Sequence, residues 1–200
     1  MPFHRATPFL PRAVESVLHQ TLHDWELVAI DNGTGLGRAA IGPAGNDPRV
    51  RIVEIGENAG IARARNAGVA AARGEFVALL DYDDVAWPGR LAAQVAALRA
   101  DPSLGVVGCH ADCIDETGRR IGWQFTLATS REQQLFLRYT MPAIASGYTG
   151  HRRIFAQVPF RHEWDYAEDY DFLVRVSEQW RTVALTEPLL SYRQYGEQST

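Results

Sequence analysis

Phe76-Val77-Ala78-Leu79-Leu80-Asp81-Tyr82-Asp83-Asp84 is a short apolar run that stops at three carboxylates within four positions. A run of this length reads as a buried strand, here one that delivers negative charge to a sheet edge. Carboxylates this close repel one another and raise one another's pKa unless a cation sits among them. Hard divalent ions such as Mg²⁺ or Mn²⁺ prefer oxygen ligands of this kind. Capping a helix that begins near Trp87-Pro88 is the other use of Asp83 or Asp84, but a cap takes one side chain, not three.

Strand and helix signals alternate on both sides of this run. Phe9, Leu10, Val14, Val17 and Leu18 recur at helical spacing behind Pro8, which predicts a helix from about Pro8 to Leu22. Glu26 to Ile30 and Val50 to Val53 read as strands, and Gly60 to Ala72 as an Ala-rich helix closed by Arg73-Gly74. Pro88 to Ala100 carries Leu91, Val95 and Leu98 on one helical face, and Leu104 to Gly108 returns as a strand. Such alternation predicts a parallel sheet covered by helices on both faces, with ligands outside the carboxyl ends of the strands, where Asp31 and Asp81 fall. Beyond about Cys109 the pattern loosens. Asp115-Glu116-Thr117-Gly118 reads as a turn, Arg131 to Tyr139 as a helix and Met141 to Gly150 as a small-residue loop. A last helix is expected from Glu168 to Trp180, with strands near Thr182 to Leu185 and Leu189 to Gln194.

With 200 residues, 46% hydrophobic and 22% charged, the chain suits one well-buried domain. Its net charge of -4 gives no basic footprint for nucleic acid or an anionic membrane, so the expected partner is a small molecule. All twenty basic residues are Arg and none is Lys, which removes Schiff-base chemistry and a Walker-type phosphate loop. Cys109 and Cys113, the only cysteines, lack a second Cys/His pair for structural zinc and read as reduced, buried thiols. No apolar run reaches membrane-spanning length and the N-terminus is no secretion signal, so the expected location is cytoplasmic.

Three other chemistries compete for these residues. Gly33-Thr34-Gly35-Leu36-Gly37 after a strand, with Glu54 further on, resembles a dinucleotide-binding fingerprint and would make the chain an oxidoreductase. Arg38 stands where Gly or Ala must pack, however, and Gly42-Pro43 leaves little helix to carry pyrophosphate. Asp81-x-Asp83-x-Val85 resembles the nucleophile motif of haloacid-dehalogenase-type phosphatases, but the lysine those enzymes use is absent. Ser146 and Ser191 do not stand on a strand-to-helix elbow of the hydrolase kind. Arg63 and Arg65, two apart on a helix, point in nearly opposite directions, so only one can face the carboxylates.

Taken together, Met1-Pro2-Phe3-His4, Glu15 to Thr21, Trp25 to Gly33, Asn58 to Gly68, Ala72 to Glu75, Leu80 to Asp84 and Ala167-Glu168-Asp169 resemble the family 2 glycosyltransferases of GT-A fold. That resemblance implies an α/β, Rossmann-like, mixed but mainly parallel sheet between helices in a single domain over 1–200. Residues 1–110 would form the nucleotide-sugar half and 111–200 the acceptor half. It implies an inverting transferase that moves a sugar from a UDP- or dTDP-linked donor to a saccharide, lipid-linked or other hydroxyl acceptor, peripheral at the inner face of the membrane through that acceptor. Pro2, Phe3, Asp31, Arg65 and Asp81 would bind the nucleotide-sugar, and Asp83 with Asp81 would hold Mn²⁺ or Mg²⁺. Asp169 would be the general base, and Glu168 and Trp164 would lie on the acceptor side. Acids beside aromatics in Tyr166 to Asp171 suit a base with a raised pKa.

The sequence departs from the family at several places. The family's full apolar strand before the position of Pro2 is not in the sequence, so the fold is expected to lack its first strand. That absence allows a catalytically silent nucleotide-sugar-binding protein as the second reading. His4-Arg5 replaces an aromatic-Asn pair, Asn32 replaces an Asp, and Tyr195 stands where a metal-site His is common.

Overall fold

The computed structural model describes residues 1–196. In chain order the elements are β1 (Pro2–Phe3), α1 (Phe9–Leu18), β2 (Leu27–Asp31), α2 (Arg38–Ile41), β3 (Val50–Glu54), α3 (Ile61–Ala71), β4 (Phe76–Ala78) and β5 (Val85–Ala86). They continue with α4 (Arg90–Ala100), β6 (Leu104–Ile114), β7 (Arg120–Gln124), α5 (Ser130–Phe136), β8 (Thr149–His151), α6 (Arg152–Gln157), α7 (Glu168–Ser177) and β9 (Arg181–Arg193).

β2 is buried along all five residues because strands flank it and helices cover it. It pairs in parallel with β3 from Leu27 to Asp31, but with β1 only at Ile30 and Asp31. A two-residue strand, Pro2–Phe3, thus lies beside β2 where the first strand was expected to be lacking. The second sheet runs β4-β8-β6-β9-β5, with β7 on β6. Only β6 and β9 run parallel there and the other pairs are antiparallel, while both pairs of the first sheet are parallel, so the whole is mixed, as expected, with its longest ladders parallel.

A cavity of about 700 Å³ separates the two sheets, lined on one side by Leu27 and Val28 of β2 and on the other by Phe76 to Leu80. In the β2 register the odd-numbered residues bond β3, whereas Ile30 and Asn32 donate to Met1 and Phe3. On the same side Val28 O accepts the N-terminal amino group of Met1 at 3.0 Å.

Three sequence expectations needed adjustment. β6 runs on to Ile114 because His110 and Asp112 alternate with buried Ala111 and Cys113, and the two polar groups find partners in Thr126 O and Arg120. The two strands expected near the C-terminus are one strand, since a register shift opposite Cys109/His110 absorbs the residues before Pro188. The loop from Met141 to Gly150 ends inside β8, where a side chain is impossible: a Cβ on Gly150 would stand 2.5 Å from Gly105 O. β7 and α6 were not anticipated. Cys109 and Cys113 are free and buried, as expected. Among the described residues no helix is long and apolar enough to cross a membrane.

Candidate active site

The chain leaves β4 through buried Leu79 and Leu80 and turns, Asp81 N–H donating to Ser146 Oγ at 2.9 Å and Asp84 N–H to Asp81 O at 3.3 Å. The turn explains why three carboxylates sit together, because it sends them to different places. Asp81 and Asp83 line a cleft of about 460 Å³ that also receives Arg5, Tyr166, Asp169 and Tyr195. Asp84 goes inward, where it accepts the backbone N–H of Arg193 at 2.9 Å and so links the turn to β9 rather than capping a helix. Burial, then the charges of Asp81 and Asp83, push its carboxyl well above the ordinary range.

Arg65 is the cation among these acids. α3 is rich in Ala, which lets it lie close to β2 and bury Arg65, while Arg63 on the opposite side is exposed. Arg65 donates through Nη2 to Asp81 Oδ1 at 3.1 Å and through Nη1 to Glu168 Oε1. Burial opposes its charge, but Asp81, Glu168 and Asp169 together raise its pKa. Arg65 thus balances acids from two distant parts of the chain before any ligand arrives. Glu168 borders the cleft with its carboxylate committed to Arg65, and burial raises its pKa in spite of that partner.

Asp169 stands beside it in the first turn of α7 and accepts the N–H of Tyr170 at 2.7 Å. Burial raises its pKa first of all, and Asp81 adds to the effect against Arg65. A carboxylate raised toward neutrality, at the wall of a cleft, is suited to take a proton.

The other wall is held from the C-terminal side. Tyr195 Oη donates to Asp83 Oδ2 at 2.9 Å, and Arg5 donates to Tyr82 Oη at 2.9 Å and Tyr195 Oη at 3.3 Å. Arg193, fully buried, gives Nε to Asp83 O and Nη1 to Asp115 O. The roles of Arg5 and Arg193 were not foreseen. The sequence signal was the Tyr192-Arg193-Gln194-Tyr195 alternation on a strand that ends beside the acids.

Pro2 and Phe3 border the cleft. Asp31 is buried, and its carboxylate takes Thr34 N–H, Thr34 Oγ1–H and Gly37 N–H, each at 2.7 Å. Burial works against its charge, and these bonds overcome it to lower the pKa. Asp31 therefore shapes the glycine-rich loop, and Asn32 is the residue of that pair that borders the cleft. The loop feeds an α2 of only four residues, too short to present an N-terminus to pyrophosphate. Trp164 is exposed outside the cleft lining, and Tyr166 occupies that wall instead.

Among the described residues no group of three or more His, Cys, Asp or Glu could hold a metal by itself. A hard cation such as Mg²⁺ needs only one or two carboxylates when phosphates and water supply the rest, and Asp81 and Asp83, which both line the cleft, fit that need.

A family model described as glycosyl transferase family 2 matches residues 1–164. The O-antigen biosynthesis protein RfbC of Myxococcus xanthus is 30% identical over 199 residues, which cover 96% of this chain and 15% of RfbC. The succinoglycan biosynthesis protein ExoO of Rhizobium meliloti (strain 1021) is 35% identical over 133 residues, 66% of this chain and 36% of ExoO. The chain thus spans well under two thirds of the length of both. S. aureus TarS 1-349 in complex with UDP-GlcNAc matches with a TM-score of 0.79 at 17% identity, covering 98% of this chain and 58% of that one, a likeness of fold.

Proposed function

The chain belongs to glycosyl transferase family 2 and has the GT-A-type fold, and from that premise we propose that its cleft moves a sugar from a nucleoside-diphosphate donor to a hydroxyl acceptor with inversion. The observation that carries this reading is the convergence on one cleft of Asp83, the Asp81–Arg65 pair and the raised carboxylate of Asp169. Pro2, Phe3 and Asn32 lie toward the nucleotide, with Asp31 fixing the loop beside them. Mn²⁺ or Mg²⁺, held by Asp83 and Asp81, would offset charge on the departing diphosphate.

Asp169, as its carboxylate, takes the proton of the acceptor hydroxyl while that oxygen attacks the anomeric carbon from the face opposite the leaving diphosphate. One C–O bond forms as another breaks, and the proton rests on Asp169. Arg65 holds the Asp81 and Glu168 carboxylates in place through its two ion pairs. Its charge limits how far the pKa of Asp169 rises.

The relatives named for O-antigen and succinoglycan biosynthesis and the TarS complex with UDP-GlcNAc support a UDP- or dTDP-linked donor and a saccharide acceptor on the way to a surface polysaccharide. The expected setting is the cytoplasmic face of a membrane that carries the acceptor. A panel of UDP, dTDP, GDP and NAD(H), each with and without Mn²⁺, tests the donor by melting temperature, since a ligand at one hundred times its Kd adds about 2.7 kcal/mol to stability. A shift with UDP or dTDP is expected, and a shift with NAD(H) alone would remove the reading. A protein that binds the nucleotide-sugar in the same cleft without turning it over is the second reading. Diphosphate binding without release would identify it.

A further inference from the structure

Tyr166 is the only residue other than glycine with a positive φ among the described residues, at 77°. The residue is 76% exposed and lines the cleft. A left-handed backbone at an aromatic residue is strained, and strain of this kind persists only where the surroundings hold it. Here the surroundings do hold it, because α3 clamps the segment 160–168 at three places. Asn66 exchanges two hydrogen bonds with the backbone of Phe160, at 2.8 and 2.9 Å. Ala62 N–H donates to Asp165 Oδ1 at 3.3 Å, and Arg65 takes Glu168. Asp165 reaches the start of α3 only because residue 60 is glycine, since a Cβ there would stand 2.2 Å from Asp165 Oδ2.

About three quarters of the residue is exposed, so packing within the chain does not account for its conformation. It is two residues from Glu168 and three from Asp169, and it lines the cleft together with Asp169, Asp83 and Tyr195. Aromatic faces take up flat, partly apolar rings at low conformational cost, because the side chain has two torsions to fix. We propose that Tyr166 is an acceptor-binding residue whose ring stacks on the C–H face of a pyranose, with the Asp165 contact to α3 as the device that orients it. The proposal rests on the transferase reading above and names the residue that selects the acceptor.

The test titrates methyl β-D-glucopyranoside and N-acetylglucosamine into the whole chain with UDP at saturation, followed by NMR, for the wild type and for Tyr166→Ala, Tyr166→Gly and Tyr166→Phe. Stacking of this kind predicts that Ala and Gly weaken pyranoside binding about fivefold, while Phe binds as the wild type does and UDP affinity is unchanged in all. Tyr166→Gly suits the left-handed backbone, so its melting temperature should equal or exceed the wild-type value and separate loss of the ring from loss of the fold. Equal pyranoside binding by Ala, Gly and wild type would overturn the proposal, as would parallel losses of UDP affinity or no pyranoside binding to the wild type. Failure of the wild type to bind UDP would instead remove the function proposed above, and the same variants titrated with pyranoside alone would then decide the role of Tyr166.

Discussion

Tyr195 Oη donates a hydrogen bond to Asp83 Oδ2 at 2.9 Å across 112 residues of sequence. The phenol stays neutral, its pKa driven up by burial, by Tyr82 and by Asp83, so it acts as a donor that holds one oxygen of the carboxylate. If Asp83 and Asp81 meet the metal only together with a diphosphate, Mn²⁺ alone should leave the melting temperature unchanged and Mn²⁺ with UDP should raise it above UDP alone. Tyr195→Phe should weaken this metal-dependent part of the shift by about 1 kcal/mol, the worth of one hydrogen bond. An unchanged Mn²⁺ increment in Tyr195→Phe would show that the tie does not position Asp83.

The buried pair of Arg65 and Glu168 joins α3 to α7 and carries Asp81 with it. Removing one partner leaves an uncompensated buried charge, so Arg65→Met should cost about 3–5 kcal/mol in urea unfolding. Arg65→Met combined with Glu168→Met should cost clearly less than the two single changes added together. Additive losses would mean that the pair does not act as a unit.

Asp84 gives stability a pH dependence of determined sign. Its carboxyl titrates well above the usual 3.8 in the folded chain, so between those two values the native state binds more protons than the unfolded state. Stability from this group is full below the unfolded pKa and is lost as pH rises through the folded one. Asp84→Asn keeps an acceptor for Arg193 N–H and should flatten that decline. The measurement is the urea midpoint from pH 4 upward, and an identical slope in both proteins would refute the assignment.

Much of this site could be read from the chain because its chemistry is local in sequence. The apolar run into Asp81 and Asp83, the Ala-rich helix around Arg65 and the acids opening α7 each announce an element and its charge together. What escaped the reading depends on partners far apart. Nothing near Arg65 in sequence shows that Glu168 will neutralise it, and nothing near Asp31 shows that its own loop will use up its carboxylate. Tyr166 was invisible for another reason: its role lies in a backbone angle that an aromatic residue does not advertise. The length of β6 was underread because His110 and Asp112 look like loop residues until Thr126 and Arg120 are placed beside them.

The central claim is that Asp169 takes the proton of the acceptor during transfer from a nucleotide-sugar. The measurement is release of nucleoside diphosphate from UDP- and dTDP-linked sugars with Mn²⁺ and a saccharide acceptor, for the wild type and Asp169→Asn, with diphosphate affinity measured alongside and the wild-type rate followed against pH. Release by the wild type should fall as pH drops through a value above the ordinary range for Asp, because burial raises the base and it must be ionised to act. Asp169→Asn should bind the diphosphate as tightly as the wild type and release it about 10²–10⁴ times more slowly. Equal rates in the two proteins, or wild-type binding with no release from any donor, would contradict the account.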